Sequence, residues 1–277
     1  MKRILFILAI LPMFLFVSCS SDEEGEAREK YLSEIIVKEH KYSFGSADTY
    51  GELYENYTYD SEGNLIKKKT NHYNPTVNSR VSREYTYKYD EKKRLVEKCD
   101  YMHFALQKKY TYAYNNIDSI SEMKVYDDDG DLDETWTYEY DDLKRLSKAT
   151  VSRKWVGRIS GYIHNYSYSE YKVTDTTYDL EDGTLFGITV DEYDSHGNLI
   201  SNKWTNGDTG REVQQVGISY EYNPDGKISK QTSWSMLPEY LTCKDYSYDK
   251  DGKLQKIHVS YSYKTEESDL IYEYIYI

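Results

Sequence analysis

The stretch Tyr57-Thr58-Tyr59-Asp60-Ser61-Glu62-Gly63-Asn64-Leu65 decides the fold of this chain. Tyr57 and Tyr59 are two residues apart, so in a β-strand both rings project from the same face. Asp60 can accept backbone N–H groups where a turn begins, and Gly63 supplies the positive φ that closes a hairpin. Leu65 then begins the returning strand. The nonapeptide therefore predicts a β-hairpin.

The same pattern recurs along the chain, so the hairpin is a repeating unit. Tyr-Asp-x-x-Gly-x-Leu returns at 126–132, 193–199 and 248–254, with a near match at 222–228 and degenerate copies at 89–95, 114–120 and 140–146. Counted from the first tyrosine of each Tyr-x-Tyr, or from Asp191 in its place, the series starts at 57, 87, 112, 138, 166, 191, 220, 246 and 272. This spacing gives two strands and two turns per unit.

The repeat predicts an all-β fold. We expect residues 40–277 to form a single long antiparallel up-and-down meander of about 16–18 strands, built from β-hairpin repeats. Large twisted sheets curl or close, and closure removes exposed edges, so we expect a curled or closed, barrel-like sheet. An open spiral remains the alternative. A helical pattern of apolar residues is confined to Ala27 to Val37.

Tyrosine dominates the apolar composition, with 33 tyrosines against 6 phenylalanines and 4 tryptophans. A tyrosine ring buries a large apolar area, but its hydroxyl needs a hydrogen-bond partner. Tyrosine therefore suits a sheet face that is half dry and half wet, and the core of this domain should be of that kind.

The N-terminal segment has the pattern of an export signal. Met1-Lys2-Arg3 is basic, and Ile4 to Val17 is almost entirely apolar. This run is too short to span a bilayer, which needs about 20 apolar residues, and it matches the apolar region of a signal peptide. Residues 1–18 are therefore predicted to be removed.

The end of that segment, Phe16-Val17-Ser18-Cys19, resembles the lipobox of bacterial lipoproteins. The resemblance implies cleavage after Ser18 and attachment of lipid to Cys19. An ordinary cleavage site with a chance cysteine is the alternative. Residues 20–26 are acidic and resemble a signal that sends some lipoproteins to the outer face of the outer membrane, although a polar spacer would have the same composition. Residues 19–39 are predicted to be a lipidated tether.

The charge balance argues against some partners. Removal of Lys2 and Arg3 with the signal leaves 33 basic against 48 acidic residues, a formal charge of −15. Binding to nucleic acid or to anionic lipid headgroups draws its affinity from basic side chains. We therefore expect no nucleic-acid partner, and contact with the membrane only through the lipid on Cys19.

The Tyr-Asp and Gly-x-Leu elements resemble the YD repeats of the Rhs family, in which hairpins spiral into a long sheet. They are also similar to Tyr-rich lipoproteins of Gram-negative bacteria, some of which form a porin-like barrel. The chain ends on the strand-like segment 272–277 without an Rhs toxic tail, which disfavours a toxin cocoon. Polar residues opposite the tyrosines, such as 67–69 and Glu139, disfavour a membrane-spanning porin.

No catalytic, cofactor or metal-binding residue is predicted. The densest acidic cluster, 127–134, lacks the Gly and Glu spacing of an EF-hand and is interpreted as one more hairpin turn. The six histidines show no metal-ligand spacing. Cys99 and Cys243 are expected to be free thiols, although a bridge between them is left open.

These observations favour a lipoprotein anchored in the outer membrane, at the cell surface or on the periplasmic face. Its sheet is expected to have a non-catalytic binding or structural role. Aromatic side chains stack on sugars and peptides alike, so a glycan or a protein is the expected ligand. A carbohydrate-active enzyme and a toxin-associated Rhs-like protein are the alternatives. The tryptophans that motivate binding are Trp136, Trp155, Trp204 and Trp234.

Overall fold

The computed structural model describes residues 32–43, 46–74, 79–155, 158–235, 240–262 and 267–276. These residues form eighteen strands of one antiparallel sheet. Across the described ranges, no helix is long and apolar enough to cross a membrane. The strands are β1 (Leu32–Ser43), β2 (Ser46–Tyr59), β3 (Leu65–Asn74), β4 (Ser79–Tyr89), β5 (Leu95–Met102), β6 (Ala105–Tyr114), β7 (Ile120–Tyr126), β8 (Leu132–Tyr140), β9 (Leu146–Trp155), β10 (Arg158–Ser169), β11 (Lys172–Asp179), β12 (Leu185–Tyr193), β13 (Leu199–Asn206), β14 (Glu212–Tyr222), β15 (Ile228–Ser235), β16 (Thr242–Tyr248), β17 (Leu254–Tyr261) and β18 (Glu267–Tyr276).

The strands pair in sequence order, each with the one before and the one after it. In addition, β1 pairs with β18 over a ladder that runs from Leu32 opposite Tyr276 to Tyr42 opposite Glu267. The first and last strands are thereby joined, whereas an open spiral would keep them apart. The predicted all-β, antiparallel, up-and-down meander and its number of strands are confirmed.

The repeat motif forms the hairpin turns at one end of the sheet. In the first turn, Asp60 N donates to Asn64 O at 2.9 Å, and Asp60 Oδ1 accepts the N–H groups of Glu62 and Asn64 at 2.9 and 2.8 Å. Gly63 has a φ of 83°, and the register shifts between Thr58 and Tyr59, as in a type I turn with a glycine bulge. The same backbone pattern recurs at 90–94, 115–119, 141–145, 194–198, 223–227 and 249–253.

We call this the repeat-turn end, because every even-numbered strand from β2 to β16 finishes there. The other end, which holds the hairpins between β5 and β6, β7 and β8, and β11 and β12, is the opposite end. The copy of the motif at 126–132 turns at the opposite end, between β7 and β8. It lies outside the 25–30 residue series because it closes the second turn of its unit.

Side chains alternate between two faces of the sheet, and the tyrosines of Tyr-x-Tyr share one of them, the tyrosine face. Most of the buried side chains lie on this face, including Tyr87 at 6 % exposure, Val125 at 2 % and Val151 at 1 %. The other face carries exposed ion pairs such as Lys88 with Glu97, 2.7 Å apart. Such exposed pairs contribute little to stability, so the tyrosine face holds the core.

The second tyrosine of several units binds the preceding unit. In one of them, the Tyr222 hydroxyl donates to Asp194 Oδ2. In five others, the hydroxyl donates to the carbonyl oxygen of the residue that begins the returning strand of the hairpin before it. These bonds are Tyr89 to Leu65 and Tyr114 to Leu95 at 2.8 Å, Tyr140 to Ile120 and Tyr168 to Leu146 at 2.7 Å, and Tyr248 to Ile228 at 2.8 Å. The repeated tyrosine thus fixes how neighbouring hairpins are spaced.

Burial keeps the tyrosine hydroxyls of this face protonated. It raises the pKa of Tyr89, Tyr138 and Tyr246 to about 12, and it raises the pKa of Tyr87 and Tyr112 further. In the turns, by contrast, hydrogen bonds from the Asn64 side chain and backbone hold the pKa of Asp60 below its usual value. The sequence expectation of a half-wet tyrosine core agrees with this face.

The first strand begins earlier than the sequence suggests. Strand β1 starts at Leu32, inside the segment 19–39 that was predicted to be a tether. The helical pattern over 27–37 is wrong for residues 32–37, because these residues pair with β18 on one side and β2 on the other. Hydrogen bonding on both sides of β1 outweighs the local pattern. The rest of the tether lies outside the described residues.

Candidate functional site

Two cavities have Glu134 in their lining, and they lie on different faces of the sheet. The outer cavity, about 430 Å³, lies at the opposite end among β8, β9 and β10. Its side chains Thr135, Ser152 and Lys154 alternate with residues of the tyrosine face, so this cavity is on the other face. The inner cavity, about 150 Å³, lies on the tyrosine face over β6, β7 and β8. The outer volume lies within the usual range of small-ligand sites. We refer to the inner cavity as the groove.

The groove has aromatic walls and an aliphatic floor. Tyr110 of β6 stands on one side, and Trp136 and Tyr138 of β8 stand on the other. Between them β7 provides Met123 and the buried Val125, because these residues pair with neighbours on the tyrosine face of β6 and β8. Desolvation by burial raises the pKa of Tyr110, so its hydroxyl is neutral at physiological pH. The slot can hold a ring-shaped ligand between its aromatic walls.

Glu134 lines both cavities and positions one aromatic wall of the groove. Its carboxylate accepts Trp136 Nε1–H at 2.9 Å and Arg153 Nε–H at 2.9 Å, one on each oxygen. The Glu134 side chain is 15 % exposed, so these are partly shielded, charge-assisted bonds. The carboxylate therefore orients an aromatic wall and a guanidinium at the same time.

The outer cavity combines apolar and cationic side chains. Leu132 and Ile159 are 44 % and 67 % exposed, which is unusual for aliphatic side chains in a cavity lining. Lys154 and Arg158 are exposed beside them. Among the described residues neither cation has a carboxylate within 4.0 Å, whereas Asp133 is paired with Lys108 at 3.3 Å. The outer cavity thus carries uncompensated positive charge in a chain that is acidic overall.

A polar cluster adjoins the groove. His164 of β10 lies 6.2 Å from the Trp136 ring, and its Nδ1 lies 2.9 Å from Asp175 Oδ2 and 3.2 Å from Thr177 Oγ1. In a nucleophilic triad the hydroxyl and the carboxylate bond opposite nitrogens of the imidazole. Here both approach the same nitrogen, so the cluster does not have the geometry of a triad. The cluster packs against the Trp136 ring and so supports that wall of the groove.

A half-buried cation lies on the tyrosine face next to the groove. The Lys98 ammonium is 4.9 Å from the Tyr85 ring centroid and 5.3 Å from that of Tyr110. Burial lowers the pKa of Lys98, and the two rings stabilise its charge. Beside it, Arg83 makes two hydrogen bonds to Asp100, at 2.9 and 2.6 Å. This cluster fixes the outer side of Tyr110.

The residues singled out in the sequence fall in different places. Ser18 and Cys19 lie outside the described residues, as does the signal peptide. Cys99, which is buried, and Cys243, which is half-buried, are both free. No group of three His, Cys, Asp or Glu residues suited to a metal ion occurs in the described part of the chain.

The acidic cluster 127–134 divides into two parts. Residues 127–131 form a hairpin turn, in which Gly130 has a φ of 88°. Asp133 and Glu134 follow it; both line the outer cavity, and Glu134 also lines the groove. Sequence reasoning missed Glu134 as a site residue, although its place in Glu134-x-Trp136-x-Tyr138 puts it on the tyrosine face. Its partner Arg153 is 19 positions away, and only the strand register brings the two together.

Comparisons with known proteins find similarity in fold alone. No protein-family model matches the chain, and no curated protein matches it. A porin-like protein from Bacteroides uniformis is similar over 88 % of this chain and 96 % of its own, with 17 % identity and a TM-score of 0.44. A porin-like protein from Bacteroides vulgatus is similar over 88 % of this chain and 99 % of its own, at 11 % identity and a TM-score of 0.34. The Photorhabdus luminescens Tc holotoxin pore is similar over 82 % of this chain and 14 % of its own, at 12 % identity and a TM-score of 0.37.

Proposed function

We propose that this protein is a lipoprotein of the outer membrane, held by a lipid on Cys19, whose sheet domain binds a ligand at the cell surface and carries out no catalysis. The observation that carries the binding role is the groove, with its aromatic walls and aliphatic floor. Ligand sites commonly combine an apolar lining with a few placed polar groups. A glycan or a protein segment is the ligand class that such a lining suits.

The direction of β1 supports a definite orientation on the membrane. Leu32 is at the repeat-turn end, since β1 runs from there to its hairpin with β2. Twelve residues, 20–31, separate Cys19 from Leu32, and β1 itself has 12 residues. To bring the opposite end to the lipid, the tether would have to run back along the full length of β1. We therefore place the repeat-turn end toward the membrane and the opposite end away from it.

The anchor is tested by labelling cells that make the full precursor with a fatty-acid probe. Wild type should carry the label and stay in the membrane after a carbonate wash, because two or more acyl chains hold a protein stably. Cys19→Ala should lose both properties. Cys243→Ala is the matched control, since it removes a free cysteine from the sheet, and it should behave as wild type.

Membrane retention of Cys19→Ala after the carbonate wash would disprove the anchor. Surface exposure is tested separately by treating intact cells with a protease. Cleavage of the protein in intact cells supports the cell-surface location, and protection until the outer membrane is opened shows the periplasmic face instead.

A further inference from the structure

The outer cavity is a second candidate site, separate from the groove because its side chains lie on the other face of the sheet. We propose that it binds the carboxyl terminus of a protein or peptide whose last residues are aliphatic. The cavity supplies the three kinds of group that such a terminus needs: cations for the carboxylate, aliphatic side chains for the terminal side chain, and hydroxyls for the last amides. The binding role proposed for the groove does not depend on this second site.

The strand register places these groups on one face of the sheet. Thr135 pairs with Ser152, and Ser152 pairs with Gly161, so the three form a row across β8, β9 and β10. Lys154 is two residues from Ser152 and pairs with Ile159, so both belong to the same face, one row closer to the hairpin between β9 and β10. One ligand can therefore contact both rows.

The cavity arises from a difference in side-chain size between the two rows. The first row consists of a threonine, a serine and a glycine, and a Cβ at Gly161 would lie 1.9 Å from a backbone oxygen of β9, so no side chain fits there. The second row has the longer Lys154 and Ile159. Leu132 of β8 pairs with Tyr126 on this face and also lines the cavity. Long side chains beside a row of short ones leave a hollow of about 430 Å³.

The cations of the cavity favour an anionic ligand. Lys154 and Arg158 are exposed, and in the part of the chain that the structure describes no carboxylate lies within 4.0 Å of either. Both carboxylates of the lining, Asp133 and Glu134, are already bound to cations of the tyrosine face, at 3.3 and 2.9 Å. A guanidinium and an ammonium can bind one carboxylate together through charge-assisted hydrogen bonds. Their attraction is local, since the chain as a whole is acidic.

The groups around the cations favour a chain terminus over a sugar or a lipid. Leu132 and Ile159 are exposed on the two sides of Lys154, so an aliphatic group next to the anion would cover them. The hydroxyls of Thr135 and Ser152 make no side-chain hydrogen bond among the described residues, and they can bond an amide N–H or C=O. An acidic sugar leaves the aliphatic side chains uncovered, and a fatty acid leaves the hydroxyls unused. A chain terminus carries all three groups within its last two residues, which suits a cavity of this size.

The test measures binding of short peptides to the full-length mature protein, prepared without its lipid, by isothermal titration calorimetry. Three peptides are compared: a free acid that ends in Ala-Val-Leu, the C-terminal amide of the same peptide, and a free acid that ends in Ala-Ser-Ser. We expect the first to bind and the amide to bind about tenfold more weakly or less, because a charge-assisted hydrogen bond contributes about that factor. The serine-ended acid should bind about tenfold more weakly, since it covers no aliphatic side chain.

Variants locate the site. Lys154→Glu and Arg158→Glu should each weaken binding of the Ala-Val-Leu acid by about tenfold or more, because each replaces an attraction for the carboxylate with a repulsion. Lys250→Glu is the matched control, since it makes the same change at an exposed position in a repeat turn, and it should bind as wild type does. Ile159→Ser should weaken binding of the aliphatic peptide. Leu143→Ser removes an equally exposed aliphatic side chain from a repeat turn and should leave binding unchanged.

Several outcomes would overturn the proposal. Equal binding of the acid and the amide would exclude recognition of the carboxylate, and unchanged binding in both charge variants would place the peptide elsewhere. Dodecanoate is titrated as a lipid probe, and binding of dodecanoate without binding of any peptide would show a site for amphiphiles instead. If no probe binds, the proposal is wrong. In each of these cases the proposed lipid anchor is unaffected, because the labelling and protease experiments test it on their own.

Discussion

The two ends of the sheet are built differently. At the repeat-turn end all hairpins but the one between β10 and β11 share one turn led by Asp or Asn, and most are bound to the previous unit by a tyrosine hydroxyl. At the opposite end the links differ: His103 and Phe104, both with positive φ, connect β5 and β6, while residues 127–131 connect β7 and β8. Exposed apolar side chains such as Phe104, Ile159 and Phe186 lie there, and so does the outer cavity.

This difference shows how a repeat can serve two purposes in one molecule. The recurring turns set the spacing and register of the strands, so their backbone geometry can vary little. The opposite end has the same register, but its side chains can differ from one hairpin to the next. The repeat therefore indicates where the scaffold is, and departures from it indicate where a site can be built.

The largest expected effect is loss of the fold in base. Tyrosines in the unfolded chain ionise near their ordinary pKa of about 10, whereas burial raises the pKa of Tyr89, Tyr138 and Tyr246 in the sheet to about 12. A raised folded-state pKa adds stability that is complete below pH 10 and is lost as the pH rises from about 10 to about 12. Many tyrosines act together, so we expect cooperative unfolding in that window.

Two signals distinguish the ends in this titration. Phenolate absorbance reports the tyrosines, which are densest toward the repeat-turn end. Tryptophan emission reports the middle and the opposite end, where Trp136, Trp204 and Trp234 lie along their strands. Both signals should change together, and a tyrosine model compound should ionise earlier. Gradual ionisation near pH 10 with unchanged tryptophan emission would contradict a buried tyrosine face.

The fold was largely predictable from sequence because its determinants are local. The Tyr-x-Tyr pattern determines which face of the sheet the tyrosines occupy, and Asp60 to Gly63 determine a turn. Both patterns lie within one hairpin. Even the degenerate copies follow, since Lys93 and Lys144 adopt the positive φ that Gly63 adopts in the full motif. The nearly constant spacing then gave the number of strands.

The groove was not predictable, because its contacts join distant positions. Lys108 pairs with Asp133, 25 positions later, and Glu134 holds Arg153, 19 positions later. No local sequence pattern identifies these residues, apart from their positions on one face of the sheet. The start of β1 was missed for a similar reason: its partner β18 is at the other end of the chain.

A second, smaller effect compares a glycine at each end. Gly161 in β10 lies against β9, and a Cβ there would be 1.9 Å from Val151 O, so Gly161→Ala must push the two strands apart. We expect a loss of about 3 kcal/mol in the free energy of unfolding, as for overpacking of a tight site. Gly197 has a φ of 85° but open space around its Cβ, so Gly197→Ala should cost only about 1 kcal/mol.

Urea unfolding of both variants gives the comparison. A larger loss of stability in Gly197→Ala would mean that the repeat turns, and not the packing of β9 on β10, are the less tolerant element.

The smallest effect concerns a single hydroxyl at the repeat-turn end. Tyr140 donates to Ile120 O at 2.7 Å, so Tyr140→Phe removes one bond between neighbouring units while keeping the ring in place. A hydrogen bond of this kind contributes about 1 kcal/mol, which lowers the melting temperature by about 2–4 °C in a domain of this size. Tyr171→Phe is the control, because Tyr171 is 43 % exposed at a hairpin tip. Differential scanning calorimetry should show a shift for Tyr140→Phe alone; equal shifts would mean that the tyrosines hold the units by ring burial and not by their hydroxyls.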